Sequence, residues 1–365
     1  MTPEFDTRTM EEKASFRLRG LYKSRGYQPY RMSKFEEYDL YVRNKSFLVS
    51  DNIITFTDTN GKLMALKPDV TLSIVKNSKD LDGDVKKVYY NENVYRPARG
   101  SRSFREIMQA GLECIGAVDT YSILEVLALA KQSLAVLSDD YVLDISHLGI
   151  LSCVIDRLNV TDDVRRKLLH FIGEKNFHDL YALCREEGVE ESALDPLRLL
   201  LAGGRSISET CEMLAGLYAD GEWKKTVDSF TSILNVLDTD RVRLDFSVVN
   251  DMTYYNGIVF QGFINGIPNS ILSGGQYDLL MKKMGSSAGA IGFAVYLDQL
   301  ELLTESDDGY DADVLLLYDD TTPLGLVHEK MQKLTESGKV VAARRTIPGK
   351  MKCRTTLDLT DGDKK

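Results

Sequence analysis

Cysteine and histidine are scarce in this chain of 365 residues. The five cysteines (Cys114, Cys153, Cys184, Cys211 and Cys353) lie far apart and form no CxxC pair, so neither a disulfide framework nor a zinc site is expected. The four histidines, His147, His170, His178 and His328, have no cysteine beside them and no second histidine four residues away. That leaves no metal site and little scope for histidine-based acid–base or nucleophilic chemistry. No apolar run comes near the ~18 residues a membrane-spanning helix needs, and the opening MTPEFDTRTMEEKASF has no apolar signal core. A cytoplasmic protein is expected, without a membrane segment. Positive charge is in deficit, 45 basic against 55 acidic side chains for a net −10, which disfavours broad nucleic-acid binding.

What is present is ordinary globular material: 43% hydrophobic and 27% charged residues, long enough for two or three domains. Residues 10–27 read as an amphipathic helix with Phe16, Leu18, Leu21 and Tyr22 on one face. NIITFTDTNGKLMAL reads as a hairpin turning at Asn60-Gly61. KVYYNENVYR and QAGLECIGA read as two more strands, TYSILEVLALAKQSLAVL as a long buried helix, and YVLDISHLGIL as a strand. Residues 150–238 carry helical spacing throughout and read as an insertion. Strands return with RVRLDFSVV, YYNGIVFQGFI and NSILSGG, followed by a helix at AGAIGFAVYLDQLELL. Acidic and glycine residues in ESDDGYDAD mark a boundary, beyond which DVLLLYDD, PLGLVHEKMQKLTESG and KVVAARR read as strand, helix and strand. The basic run KVVAARRTIPGKMKCR reads first as a solvated strand face. The expected organisation is therefore residues 1–305 as one domain and 311–365 as a small α/β unit.

Five segments in order resemble histidyl-tRNA synthetase. LMALKPDVTLSIVKN is similar to its LRPE-x-T segment, and PARGSRSFREIMQAGLECIG to its second class II motif. YYNGIVFQGF and SGGQYDLL resemble its two histidine motifs, and IGFAVYLDQLELL its third class II motif. The resemblance implies an α+β, class II aminoacyl-tRNA synthetase-like fold: a mainly antiparallel sheet with flanking helices, the helical insertion, and the small C-terminal α/β unit. Adenylate chemistry needs arginines at the phosphates and adenine, because each offers planar, permanently charged donors. Counting along the motifs places Asn93, Asn250 and Gln299 at three such arginines, and Ser33 at the first motif's proline. That pattern resembles the regulatory subunit of ATP phosphoribosyltransferase, a non-catalytic relative.

The resemblance to that family implies a partner, the short-form catalytic subunit, which joins ATP to phosphoribosyl pyrophosphate in the first step of histidine biosynthesis. It also implies a homodimer within a hetero-oligomer, with histidine as a candidate feedback ligand and no cofactor. No catalytic residue is assigned. Asp69, Thr71, Gln109, Glu113, Tyr255, Gly274, Gly275 and Tyr277 match the family's histidine-pocket positions. Carboxylates facing an ammonium and polar groups flanking an imidazole make chemical sense for that ligand. Each also has a plainer reading. Gln109 and Glu113 fit a buried polar pair bracing a strand, Tyr255 a core aromatic, Asp69 a turn residue after Pro68, and Gly274-Gly275 a tight turn or bulge. Two other classes remain open: a divergent histidyl-tRNA synthetase, and a tRNA-binding paralogue. Arg99, Arg102 and Arg105 fit either a mobile polar loop or a phosphate-holding cluster.

Overall fold

The computed structural model describes residues 8–48, 52–78, 83–97, 103–249, 255–303, 310–347 and 349–360. The chain divides into two compact units, Glu11–Glu301 and a second made of Met1–Met10 with Leu302–Lys365.

The first unit opens with helix α1 (Met10–Ser24), whose first turn carries Glu11 and Glu12, placing negative charge at the positive end of the helix dipole. Its buried stripe is Ala14, Leu18 and Tyr22, and Phe16 turns out to solvent at 66% exposure. After Gly26 come β1 (Gln28–Pro29), β2 (Phe35–Glu37), α2 (Tyr38–Arg43), β3 (Thr55–Thr57) and β4 (Leu63–Leu66). Strands β3 and β4 form the expected hairpin, and the Asp58 carboxylate closes its turn by accepting from the Asn60 and Lys62 amides. Helix α3 (Thr71–Lys76) leads into two long strands, β5 (Val85–Pro97) and β6 (Phe104–Gly116), paired antiparallel over their full length. Asp119 caps α4 (Thr120–Leu137) by accepting from Ser122 N. Helix α4 has the length and mean hydropathy (1.3) of a membrane span, contrary to the sequence expectation; half of it is buried within the protein.

Strand β7 (Tyr141–His147) stops where His147 caps α5 (Leu148–Asp156), so LGIL is helix rather than strand. The insertion continues through α6 (Asp162–Gly173), α7 (Phe177–Glu186), α8 (Asp195–Leu201), α9 (Ile207–Leu217) and α10 (Gly221–Val236). Thr161, Asn176, Ser206 and Asp220 cap four of these helices with side-chain acceptors. Trp223 anchors α10, fully buried, with its indole donating to the Leu214 carbonyl at 2.9 Å.

Strands β8 (Val242–Leu244), β9 (Ile258–Ile264) and β10 (Leu272–Gln276), helix α11 (Asp278–Lys283) and strand β11 (Gly289–Tyr296) finish the unit. The expected helix at 288–303 is thus a strand followed by a short 3-10 segment, Leu297–Leu303. GAIGFAVY is apolar on every side because β11 lies in the middle of an eight-stranded sheet, in the order β1-β5-β6-β11-β10-β9-β7-β8. Every pairing is antiparallel except β1 with β5 and β7 with β8.

Within the second unit, β12 (Ala312–Leu317) is the central strand of a three-stranded parallel sheet, β13-β12-β14. Helix α12 (Leu324–Glu336) connects β12 to β13 (Val341–Arg344), as read from the sequence, and β14 (Cys353–Asp358) adds a strand the reading missed.

Candidate functional site

Side chains alternate across a sheet, so the pairing register assigns each to a face. One face is backed by α1 and α4. Tyr22 of α1 meets Tyr89 and Phe293 there, at ring separations of 6.2 and 6.0 Å. On the other face stand Val88, Tyr90, Glu92, Val94 and Arg96 of β5, with their register partners Glu113, Gly111, Gln109, Ile107 and Arg105 of β6. Gly292, Ala294 and Tyr296 of β11 continue that face. The small β2-β4-β3 sheet and α3 lie nearby, and Lys67, Pro68 and Asp69 bridge the two sheets.

Glu113 is the centre of this face. It is 2% exposed, and its carboxylate accepts from Thr71 Oγ1 at 2.8 Å and Tyr277 Oη at 2.6 Å. Its approach to β11 is so close that a Cβ at Gly292 would stand 1.7 Å from Glu113 Oε2, so glycine is required there. Burial raises the Glu113 carboxyl to about 8, against the opposing effect of the two hydroxyl donors, and nearby Asp69 pushes in the same direction. Asp69 is also raised by burial, with Arg96 and backbone donors pulling it back. Its Oδ1 accepts from Leu72 N at 2.9 Å, and Arg96 stands 3.6 Å from its Oδ2. Arg96 in turn donates Nε to the Pro68 carbonyl at 2.7 Å.

Three phenols complete the wall. Tyr90 and Tyr255 stand near Glu113, Asp69 and Tyr296. Gln109 is 2% exposed, and its Nε2 has no hydrogen-bond partner. Buried polar groups are nearly always paired, so this amide is an exception on the face that holds the carboxylates and phenols.

The structure therefore brings together Asp69, Thr71, Gln109, Glu113, Tyr255 and Tyr277. Gly275 joins them, lying beneath the Tyr255 ring, where a Cβ would stand 2.7 Å from Tyr255 Cδ1. Gly274 does not join them. It points to the α1/α4 face, against Phe260 and Phe293, because adjacent residues of β10 face opposite ways. Asn93 also lies on the far face, where it donates to Glu106 at 2.5 Å, alongside the Tyr95 hydroxyl at 3.0 Å. The cation on the site face of β5 is Arg96. Asn250, Arg99 and Arg102 lie outside the described residues. Gln299 donates its amide to the Ser270 carbonyl at 3.1 Å. Sequence reasoning missed Tyr90, Tyr296, Arg96 and the pair Lys67–Glu92. The alternation of Tyr90, Glu92, Val94 and Arg96 along β5 was the available signal.

A cleft of about 460 Å³ lies elsewhere in this unit, beside α4 and the end of α10, lined in part by Tyr121, Ala128, Lys131, Val236 and Asp238. No cluster of three or more metal-ligating side chains occurs among the described residues.

A mainly antiparallel sheet of this strand order, with buried carboxylates and phenols gathered on one face, is the arrangement of the class II aminoacyl-tRNA synthetase-like fold. Residues 5–300 match the family model described as histidyl-tRNA synthetase, and the chain belongs to that family. Among its relatives, the ATP phosphoribosyltransferase regulatory subunit of Bacillus cereus (strain G9842) is 25% identical over 349 residues, covering 92% of this chain and 80% of the relative. The protein of the same description from Bacillus mycoides (strain KBAB4) is 26% identical over 331 residues, covering 86% and 78%. Among solved structures, an ATP phosphoribosyltransferase regulatory subunit/histidyl-tRNA synthetase from Bacillus halodurans superposes with a TM-score of 0.74 at 21% identity, covering 99% of this chain and all of that one. The ATP phosphoribosyl transferase (HisG:HisZ) complex from Thermotoga maritima contains a chain with a TM-score of 0.62 at 20% identity, covering 80% and 98%.

Proposed function

We propose that this chain is the non-catalytic regulatory subunit of an ATP phosphoribosyltransferase. In this reading it acts in histidine biosynthesis by supporting a short-form catalytic chain that joins ATP to phosphoribosyl pyrophosphate and releases pyrophosphate. The observation that carries the reading is Gln299. A synthetase needs a guanidinium against adenine at this point in the third motif, and here a neutral amide is tied to the Ser270 carbonyl. The relatives from Bacillus bear the regulatory description over most of this chain's length.

The pocket around Glu113 is the regulatory half of the proposal: it takes histidine, with the ammonium at Asp69 and the imidazole N–H at Glu113. Arg96 is on this face, but it is already engaged by the Pro68 carbonyl and Asp69, which argues against free use of it on a nucleotide phosphate. The assembly we propose is a homodimer of this chain carrying catalytic chains.

The direct binding test is size-exclusion chromatography of this chain mixed with the short catalytic chain of the same organism. The proposal expects one co-eluting species larger than either component. Two separate peaks at micromolar concentration would sink the partnership and return attention to a divergent synthetase.

A further inference from the structure

The cleft beside α4 owes its shape to small residues on one stripe of that helix. Tyr121, Leu124, Ala128, Gln132 and Ala135 recur every three or four positions and so share a face, and the methyls of Ala128 and Ala135 leave the space above them open. Two walls flank this floor, and each is fastened to α4. The end of α1 and the residues after it are held by the Tyr22 hydroxyl, 3.0 Å from Ser133 Oγ, and by the Tyr27 hydroxyl, which donates to Glu125 at 3.3 Å. The chain leaving α10 is held by buried Lys131, whose ammonium donates to the Asp238 carbonyl at 3.1 Å and to its carboxylate at 2.5 Å. The hollow is therefore preformed, and its volume of about 460 Å³ suits a small organic molecule. Tyr121 and Val236 line it while 59% and 69% exposed, which is surface that a bound apolar body would cover.

The charges that line the cleft leave one over. Glu125 accepts from Lys87 Nζ at 2.6 Å, Asp238 pairs with Lys131, and Asp240 lies 4.0 Å from Arg241 Nε. Arg25 lines the cleft from the end of α1, exposed, and its guanidinium makes no ion pair or hydrogen bond among the described residues. We propose that this cleft is a second ligand site, on the side of the sheet away from Glu113, and that it takes a small amphipathic carboxylate. The apolar body lies on the floor of α4 against Tyr121 and Val236, and the carboxylate meets Arg25. A planar guanidinium matches the two oxygens of a carboxylate, and one unspent positive charge matches its single negative one. A phosphate ester fits less well. Its second charge would find no free cation in the lining, and Asp238 and Asp240 of the same lining would repel it.

The test is ligand-observed NMR titration of the full chain with 4-phenylbutyrate, with 4-phenylbutan-1-ol, the same body without the charge, and with 4-phenylbutyl phosphate. The parent is expected to bind the acid about 10-fold more tightly than the alcohol, the worth of one charge-assisted contact, and more tightly than the phosphate. Arg25→Gln should bring the acid down to the affinity of the alcohol and leave the alcohol unchanged, because only the charged contact is lost. Ala128→Leu, which fills the floor, should weaken acid and alcohol together and so place the binding in this cleft. If Ala128→Leu melts well below the parent, Ala135→Leu, at an exposed position, takes its place. A parent that binds none of the three at millimolar concentration, or binds acid and alcohol alike, overturns the proposal. So does tighter binding of the phosphate, an Arg25→Gln variant that holds the acid as well as the parent, or a filled floor that changes nothing.

Discussion

Replacing Lys67 with alanine should cost the fold about 3 kcal/mol, read as a drop in the chemical-denaturation midpoint. Lys67 is fully buried, and its ammonium pairs with Glu92 at 2.5 Å. Removing one partner strands the other charge in a site where water reaches it poorly, and that uncompensated carboxylate is the source of the cost. The double variant Lys67→Met with Glu92→Leu should recover most of the loss, because a buried ion pair and an apolar pair of similar volume are nearly equivalent. A single variant as stable as the parent would mean that the pair is worth little. The effect reaches the pocket. Lys67 N donates to the Lys34 carbonyl, and Tyr95 N donates to the Lys67 carbonyl, so this residue stitches the small sheet to β5 just ahead of Asp69. Histidine binding should therefore weaken in Lys67→Ala as well as stability.

The second large effect is on the pH dependence of stability. The Glu113 carboxyl is raised in the folded chain to about 8 from an ordinary 4.5, chiefly by burial. The folded state therefore holds this proton more tightly than the unfolded state. The stability it confers is fully present below about 4.5 and is lost as pH rises through 8. His147 runs the other way. Burial depresses it to about 4 from 6.5, so its contribution is present above 6.5 and is lost as pH falls toward 4. The window from 6.5 upward therefore isolates the carboxyl. Stability should fall by about 1–2 kcal/mol between roughly pH 6.5 and 8.5, and Glu113→Gln should remove most of that slope. Asp69 is also raised by burial, in the same direction. An unchanged slope in the variant would place the titration elsewhere.

Much of this architecture was legible because local chemistry and long-range packing agree. The Asn60-Gly61 turn announces its hairpin in two residues, and the helical spacing of residues 150–238 announces the insertion. The failures have one physical origin, which is that side-chain direction depends on register. GAIGFAVY is apolar throughout, and such a run does not distinguish a central strand from a buried helix. Counting backward from Arg96-Pro97 puts Asn93 at a phosphate contact, and the register sets its side chain on the face opposite Gln109, which counting alone does not reveal. The same parity separates Gly275, beneath Tyr255, from Gly274, against Phe293. Tyr90 was illegible for a different reason. Its place over Gly111, 21 residues on, follows only from the pairing of β5 with β6.

The account's central claim is that this chain works through a catalytic partner. Its most direct measurement is the initial rate of phosphoribosyl-ATP formation by the short catalytic chain of the same organism, with and without this protein at saturating substrates. The account predicts little or no turnover by this chain alone, a several-fold or greater gain when both are present, and suppression of that gain by histidine. A catalytic chain whose rate is the same with and without this protein, together with histidine-dependent exchange of pyrophosphate into ATP by this chain alone, would contradict it.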